Sequence, residues 1–95
     1  MKELPKSTKV VVIGGGVAGT SCAYHLAKFG WKDVVLLERD LLTSGTTWHA
    51  AGLLGQLGAS STITKIRKYS LDLYKDLEKT TGLSTGMKQN GAITV

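Results

Sequence analysis

Apolar residues cluster along the chain in two short continuous runs, separated by a stretch of helical spacing. Residues 9–13 read Lys-Val-Val-Val-Ile, a β-branched run of the kind found in strands buried on both faces. Three glycines, Gly14 to Gly16, end it. From 17 to 29 the apolar positions Ala18, Cys22, Leu26 and Phe29 recur at helical intervals, and Gly30 follows as a stop. Asp33 leads into a second run, Val34-Val35-Leu36-Leu37, closed by Glu38. Strand, helix and strand with short connections predict two parallel strands joined by a right-handed crossover.

Downstream the pattern changes. Residues 41–61 are rich in Gly, Ser and Thr and have no clear period, too long a stretch for an ordinary connection. A second helix is predicted over 62–80, with Ile66, Tyr69, Leu73 and Leu77 on one stripe and Gly82 just beyond. Residues 86–95 predict a short β-hairpin turning at Asn90-Gly91. Two parallel strands and a hairpin leave sheet edges unpaired. The chain therefore reads as one incomplete α/β unit, the N-terminal part of a larger domain, and inactive by itself.

Composition narrows the possibilities. The chain has 95 residues, 42% of them hydrophobic, which fits one small globular domain. No apolar run approaches the roughly 20 residues of a membrane span. Lys2, Lys6 and Lys9 make the start basic, but the apolar run behind them breaks into glycines, so neither a signal peptide nor a transit peptide is predicted and the cytosol is the expected address. The net charge of +5 is spread from Lys2 to Lys88 rather than gathered on one face, which argues against a nucleic-acid partner. One cysteine, Cys22, and two histidines provide neither a disulfide nor a metal site; Cys22 is expected on the buried face of the first helix. His25 is expected on its polar face, Trp31 over its end, and Tyr69 and Tyr74 in or beside the core of the second helix.

Gly14-Gly15-Gly16-Val17-Ala18-Gly19 fits Gly-x-Gly-x-x-Gly, a weak pattern alone but a strong one between a strand and a helix with an acid ending the next strand. Gly14 permits the tight turn, Gly16 lets a diphosphate approach the backbone, and Gly19 lets helix pack on strand. Unpaired N–H groups at the helix start face the diphosphate, and the helix dipole favours its charge. Glu38, 24 residues after Gly14, is placed to accept ribose hydroxyls and would repel a 2′-phosphate. The expected fold is thus a Rossmann-type βαβ unit over 9–38 that binds FAD or NAD rather than NADP. Position at the start of the chain leans toward FAD by association only. Past Glu38, small residues and hydroxyls let backbone lie against a cofactor. At about 3.3–3.6 Å per residue, the eleven residues from Glu38 to His49 allow a reach of roughly 36–40 Å, enough for the far end of a bound FAD.

Three segments resemble one family: Gly14 to Gly19, Leu36-Leu37-Glu38-Arg39, and above all Ser44-Gly45-Thr46-Thr47-Trp48-His49-Ala50-Ala51-Gly52-Leu53. The chain is similar throughout to sarcosine and dimethylglycine dehydrogenases, with a D-amino acid oxidase-like fold, and the Thr-Trp-His element is the most specific part of the likeness. The resemblance implies FAD contacts from Val17, Ala18, Glu38, Arg39 and the loop Gly45, Thr46, Thr47, Trp48, His49, Ala50, Ala51, Gly52 and Leu53. It implies a covalent bond from His49 to the flavin. Trp48 either walls the flavin or packs beneath the loop. The chemistry implied is oxidation of an N-methyl group on a glycine derivative, with a small methylated amine as substrate and oxygen or an electron-transfer protein as acceptor. A tetrahydrofolate site and the catalytic residues are implied beyond Val95. Two alternatives stand beside this reading: another flavin amine or amino acid oxidase of the same fold, and a non-catalytic regulatory relative.

Overall fold

The computed structural model describes residues 3–95, which divide into two units, one ending at Ala51 and the other running from Gly52 to Val95. The first holds strand β1 (Val10–Ile13), helix α1 (Val17–Lys28), strand β2 (Val34–Leu37) and a 3-10 turn, Thr46–His49. The strands run parallel in the register Val10 to Val34 through Ile13 to Leu37. Asp33 pins their start: its carboxylate accepts from the Thr8 hydroxyl at 2.8 Å and the Lys9 amide at 3.1 Å. At the other end the Gly14 amide donates to the Leu37 carbonyl at 2.8 Å, carrying the ladder into the glycine turn.

Helix α1 packs on both strands, but its rotation differs from the sequence expectation. A Cβ on Gly19 would run into the Gly14 carbonyl oxygen and lie 3.4 Å from the Val12 side chain. Gly19 is therefore the residue laid against the strand, and Ala23 and Leu26, one and two turns on, follow it with partial burial. Cys22, expected to be buried, is exposed, as are Ala18 and Phe29. His25 is half-buried rather than on an open polar face, its Nδ1 2.7 Å from the Ser21 carbonyl. The helix ends as a Schellman turn: Gly30 takes φ +94° and the Trp31 amide returns to the Leu26 carbonyl at 3.0 Å.

Strand β1 is not buried on both faces. Val10 and Val12 are half-buried, while Val11 and Ile13 on the opposite side are 49% and 86% exposed. A single helix covers a single face of a sheet, and period-2 alternation carries every second side chain to the other.

In the second unit, helix α2 spans Ser61–Thr81. The Ser60 hydroxyl caps it by accepting from the Ile63 amide at 3.2 Å, and Gly82 closes it at φ +70°, donating to the Glu78 carbonyl. The covered stripe runs through Leu71, Tyr74 and Leu77; Ile66 and Tyr69, expected in it, are exposed. Glu78 holds the chain beyond the helix, accepting from the Thr85 amide and hydroxyl at 2.9 and 2.7 Å, and these bonds lower its pKa. The expected hairpin does not form: residues 83–95 contain no strand, although Gly91 takes a turn conformation at φ +78°. A two-stranded hairpin is marginal unless it buries an apolar face, and Ile93 is 91% exposed. No helix among the described residues is long and apolar enough to cross a membrane.

Candidate functional site: the cleft at the start of helix α1

The glycine turn is a tightly constrained piece of backbone in the first unit. Gly14 sits at φ +107°, a region closed to side chains. Gly15 is buried, and a Cβ there would lie 2.6 Å from Leu42 and 3.1 Å from Glu38. Its peptide groups are held on both sides: its amide donates to Glu38 Oε2 at 2.8 Å and its carbonyl accepts from the Thr43 amide at 3.0 Å. Gly16 is the N-cap of α1 and, lacking a side chain, gives the helix no side-chain cap.

That leaves the helix start open to a ligand. Val17, the first helical residue, donates its amide to Thr47 Oγ1 at 2.9 Å. Among the described residues, the amides of Ala18 and Gly19 have no acceptor, as geometry dictates for a first helical turn. No acidic residue stands in that turn to compete with an anion.

These amides open on a cleft of about 600 Å³, within the range of small-molecule sites. Gly14, Gly16, Val17, Ala18, Gly19, Glu38, Arg39, Gly45, Thr46 and Thr47, all anticipated from sequence, line it, joined by Ile13, Asp40 and Ser44, which were not. Glu38 stands at its rim. Its carboxylate takes the Gly15 amide on Oε2 and the Asp40 amide on Oε1, and these bonds, the first above all, hold its pKa below the ordinary carboxylate value. Glu38 is thus ionised at neutral pH. Each oxygen keeps lone pairs beyond the one engaged, enough to accept two neighbouring hydroxyls. A ribose fits that chemistry, and a diphosphate fits the unpaired amides.

Trp48, His49, Ala50 and Ala51 belong to the same unit but do not line the cleft; Gly52 and Leu53 lie in the second unit. Trp48 is 78% exposed. His49 ends the 3-10 turn, with Nδ1 2.9 Å from the Gly45 carbonyl. A carbonyl only accepts, so Nδ1 carries the hydrogen and, in the neutral ring, Nε2 carries the free lone pair.

The loop that brings Thr47 to the helix start stores strain. Thr43 has φ +65°, unusual for a β-branched residue and costing about 1–2 kcal/mol. Among the described residues its hydroxyl bonds only the neighbouring Leu42 carbonyl. Thr43→Asn, which tolerates the left-handed region, is expected to stabilise the protein by about 0.5–1 kcal/mol. Thermal melts check this; a lowered Tm contradicts it.

The glycine pattern leaves its second position free and calls for one acid, Glu38, so it does not point to Gly15 or Asp40. Ser44 and Ile13 only flank positions that the pattern names.

Comparison with known proteins fits this geometry. A family model described as FAD dependent oxidoreductase matches residues 9–95. Mouse mitochondrial sarcosine dehydrogenase is 50% identical over 95 residues, covering 99% of this chain and 10% of its own. Human mitochondrial dimethylglycine dehydrogenase is 52% identical over 85 residues, 90% of this chain and 10% of its own. The mouse mitochondrial pyruvate dehydrogenase phosphatase regulatory subunit is 47% identical over 92 residues, 97% of this chain and 10% of its own. The chain thus spans about a tenth of the length of these relatives.

Proposed function

The chain belongs to the family of FAD-dependent oxidoreductases, and on that footing we propose that its first unit holds the ADP half of FAD for an enzyme that oxidises N-methylated glycines. One observation carries the binding mode: the unpaired amides of Ala18 and Gly19 and the ionised Glu38 face a single cleft. The diphosphate sits on the amides and the ribose hydroxyls on Glu38. Arg39 and residues 45–51 complete the contacts along the cofactor.

His49 is the proposed covalent anchor. The Gly45 carbonyl fixes its tautomer with the lone pair on Nε2, the form a nucleophile needs. FAD, when bound, supplies the two-electron acceptor for a carbon–nitrogen oxidation. This segment binds and orients it. Substrate and acid–base groups and any tetrahydrofolate site are assigned to other parts of the protein, and the electron acceptor is a separate partner, oxygen or an electron-transfer protein. The substrate class rests on the sarcosine and dimethylglycine dehydrogenases that share half of these residues. The cytosol stays the proposed address, against the mitochondrion named for those relatives.

A second reading has its own observation. A regulatory subunit matches the same residues at 47% identity, so FAD binding here is compatible with a protein that does not turn over substrate. The test is dye reduction by the protein in its full natural length, supplied with sarcosine or dimethylglycine. Flavin-dependent turnover is the expected result. Bound flavin with no turnover of any N-methylated amine overturns the enzymatic reading and favours the regulatory one.

A further inference from the structure

We infer that Thr47 is a positioning residue: its hydroxyl ties the turn that carries His49 to the first amide of helix α1, so that seating the diphosphate also sets the imidazole in place for attachment to the flavin. The inference rests on the FAD reading above and goes beyond it, since it assigns Thr47 a task distinct from affinity. The connection is short and continuous. Thr47 Oγ1 accepts from the Val17 amide at 2.9 Å. Gly16 makes room for this, because a Cβ there would stand 2.9 Å from the same oxygen.

The 3-10 turn transmits the tie. The Trp48 amide donates to the Gly45 carbonyl at 3.1 Å and the Ala50 amide to the Thr47 carbonyl at 3.2 Å. His49 Nδ1 closes on the Gly45 carbonyl at 2.9 Å. One residue, Trp48, separates the anchored hydroxyl from the imidazole, and both the backbone of the turn and the ring are hydrogen-bonded. The Thr47 oxygen is engaged as an acceptor, so its own O–H is free to donate into the cleft, toward the place of the diphosphate.

The covalent step that this placement serves balances as follows. Nε2 would bond to the flavin 8α-methyl carbon, with one C–H bond there broken and the Nδ1 proton lost. Two protons and one electron pair would pass to the isoalloxazine, and dioxygen would take them up as hydrogen peroxide. Attachment demands alignment of two reacting atoms, whereas diphosphate binding draws on several amides. Loss of the tie therefore harms the first more than the second, since small misplacements cost up to about a hundredfold in rate.

The experiment uses the full-length apoprotein mixed with FAD, following the flavin fluorescence that stays with the denatured chain over time. Thr47→Val keeps the shape and removes the hydroxyl; attachment is expected to slow by roughly tenfold or more. Thr47→Ser restores the hydroxyl and is expected to stay within about threefold of wild type. Non-covalent affinity is read separately in a His49→Ala background, where adding Thr47→Val should weaken FAD by less than about tenfold, the worth of one hydrogen bond. Attachment at the wild-type rate in Thr47→Val overturns the inference. So does a loss of attachment no larger than the loss of affinity, which makes Thr47 an ordinary binding residue, or a failure of Thr47→Ser to restore the rate. A wild-type protein that binds no FAD at all defeats the underlying reading instead.

Discussion

Gly19→Ala is expected to cost the full-length protein its flavin. The added methyl would run into the Gly14 carbonyl oxygen, which is backbone, and cannot swing aside as a side-chain tip can. Either α1 lifts from β1 or the glycine turn opens, and both move the amides that face the diphosphate. Overpacking of this kind costs about 1–3 kcal/mol, and more where backbone is the obstacle. If that cost falls on the bound geometry, FAD affinity drops by roughly a hundredfold. Gly55→Ala is the control. Its nearest neighbour would be Arg67 Nη1 at 3.7 Å, an ordinary contact, so stability and flavin content should be unchanged within about 0.5 kcal/mol. Equal flavin content in Gly19→Ala and wild type would show that close packing at this position does not govern the site.

His49→Ala is expected to abolish covalent attachment while leaving FAD bound. The cleft is lined from Ile13 through Thr47 and does not include His49, so the ADP half keeps its contacts. On a denaturing gel the wild-type chain should retain flavin fluorescence and the variant should release all of it. Fluorescence persisting with the denatured His49→Ala chain would place the bond at another residue. Loss of FAD from the native variant would mean that the imidazole contributes to binding rather than to linkage.

The first unit was legible because each of its parts is locally encoded. A β-branched run, a glycine turn, a helical period and a second apolar run predict β1, α1 and β2 to within a residue or so. The rotation of α1 was not legible, because it depends on which residue the strand admits. Gly19 is the one that fits, and choosing it turns Cys22 and Phe29 outward. Nor was the short turn within 41–61 visible as periodicity. It is held by side chain-to-backbone bonds, Thr47 to Val17 and His49 to Gly45, and such bonds leave no repeat. No hairpin forms at the C-terminal end of the described residues: Asn90-Gly91 encodes a turn, but a turn pairs strands only where their faces can be buried. Gly15 and Asp40 serve the site through backbone amides that hold Glu38, and residue type is a poor guide to such a role.

FAD binding by this protein turns on where the diphosphate sits. A crystal structure of the full-length protein with FAD tests this most directly. The predicted result has diphosphate oxygens about 2.7–3.2 Å from the Ala18 and Gly19 amides, with the adenosine ribose on Glu38. FAD seated elsewhere, with those amides facing water, would contradict it.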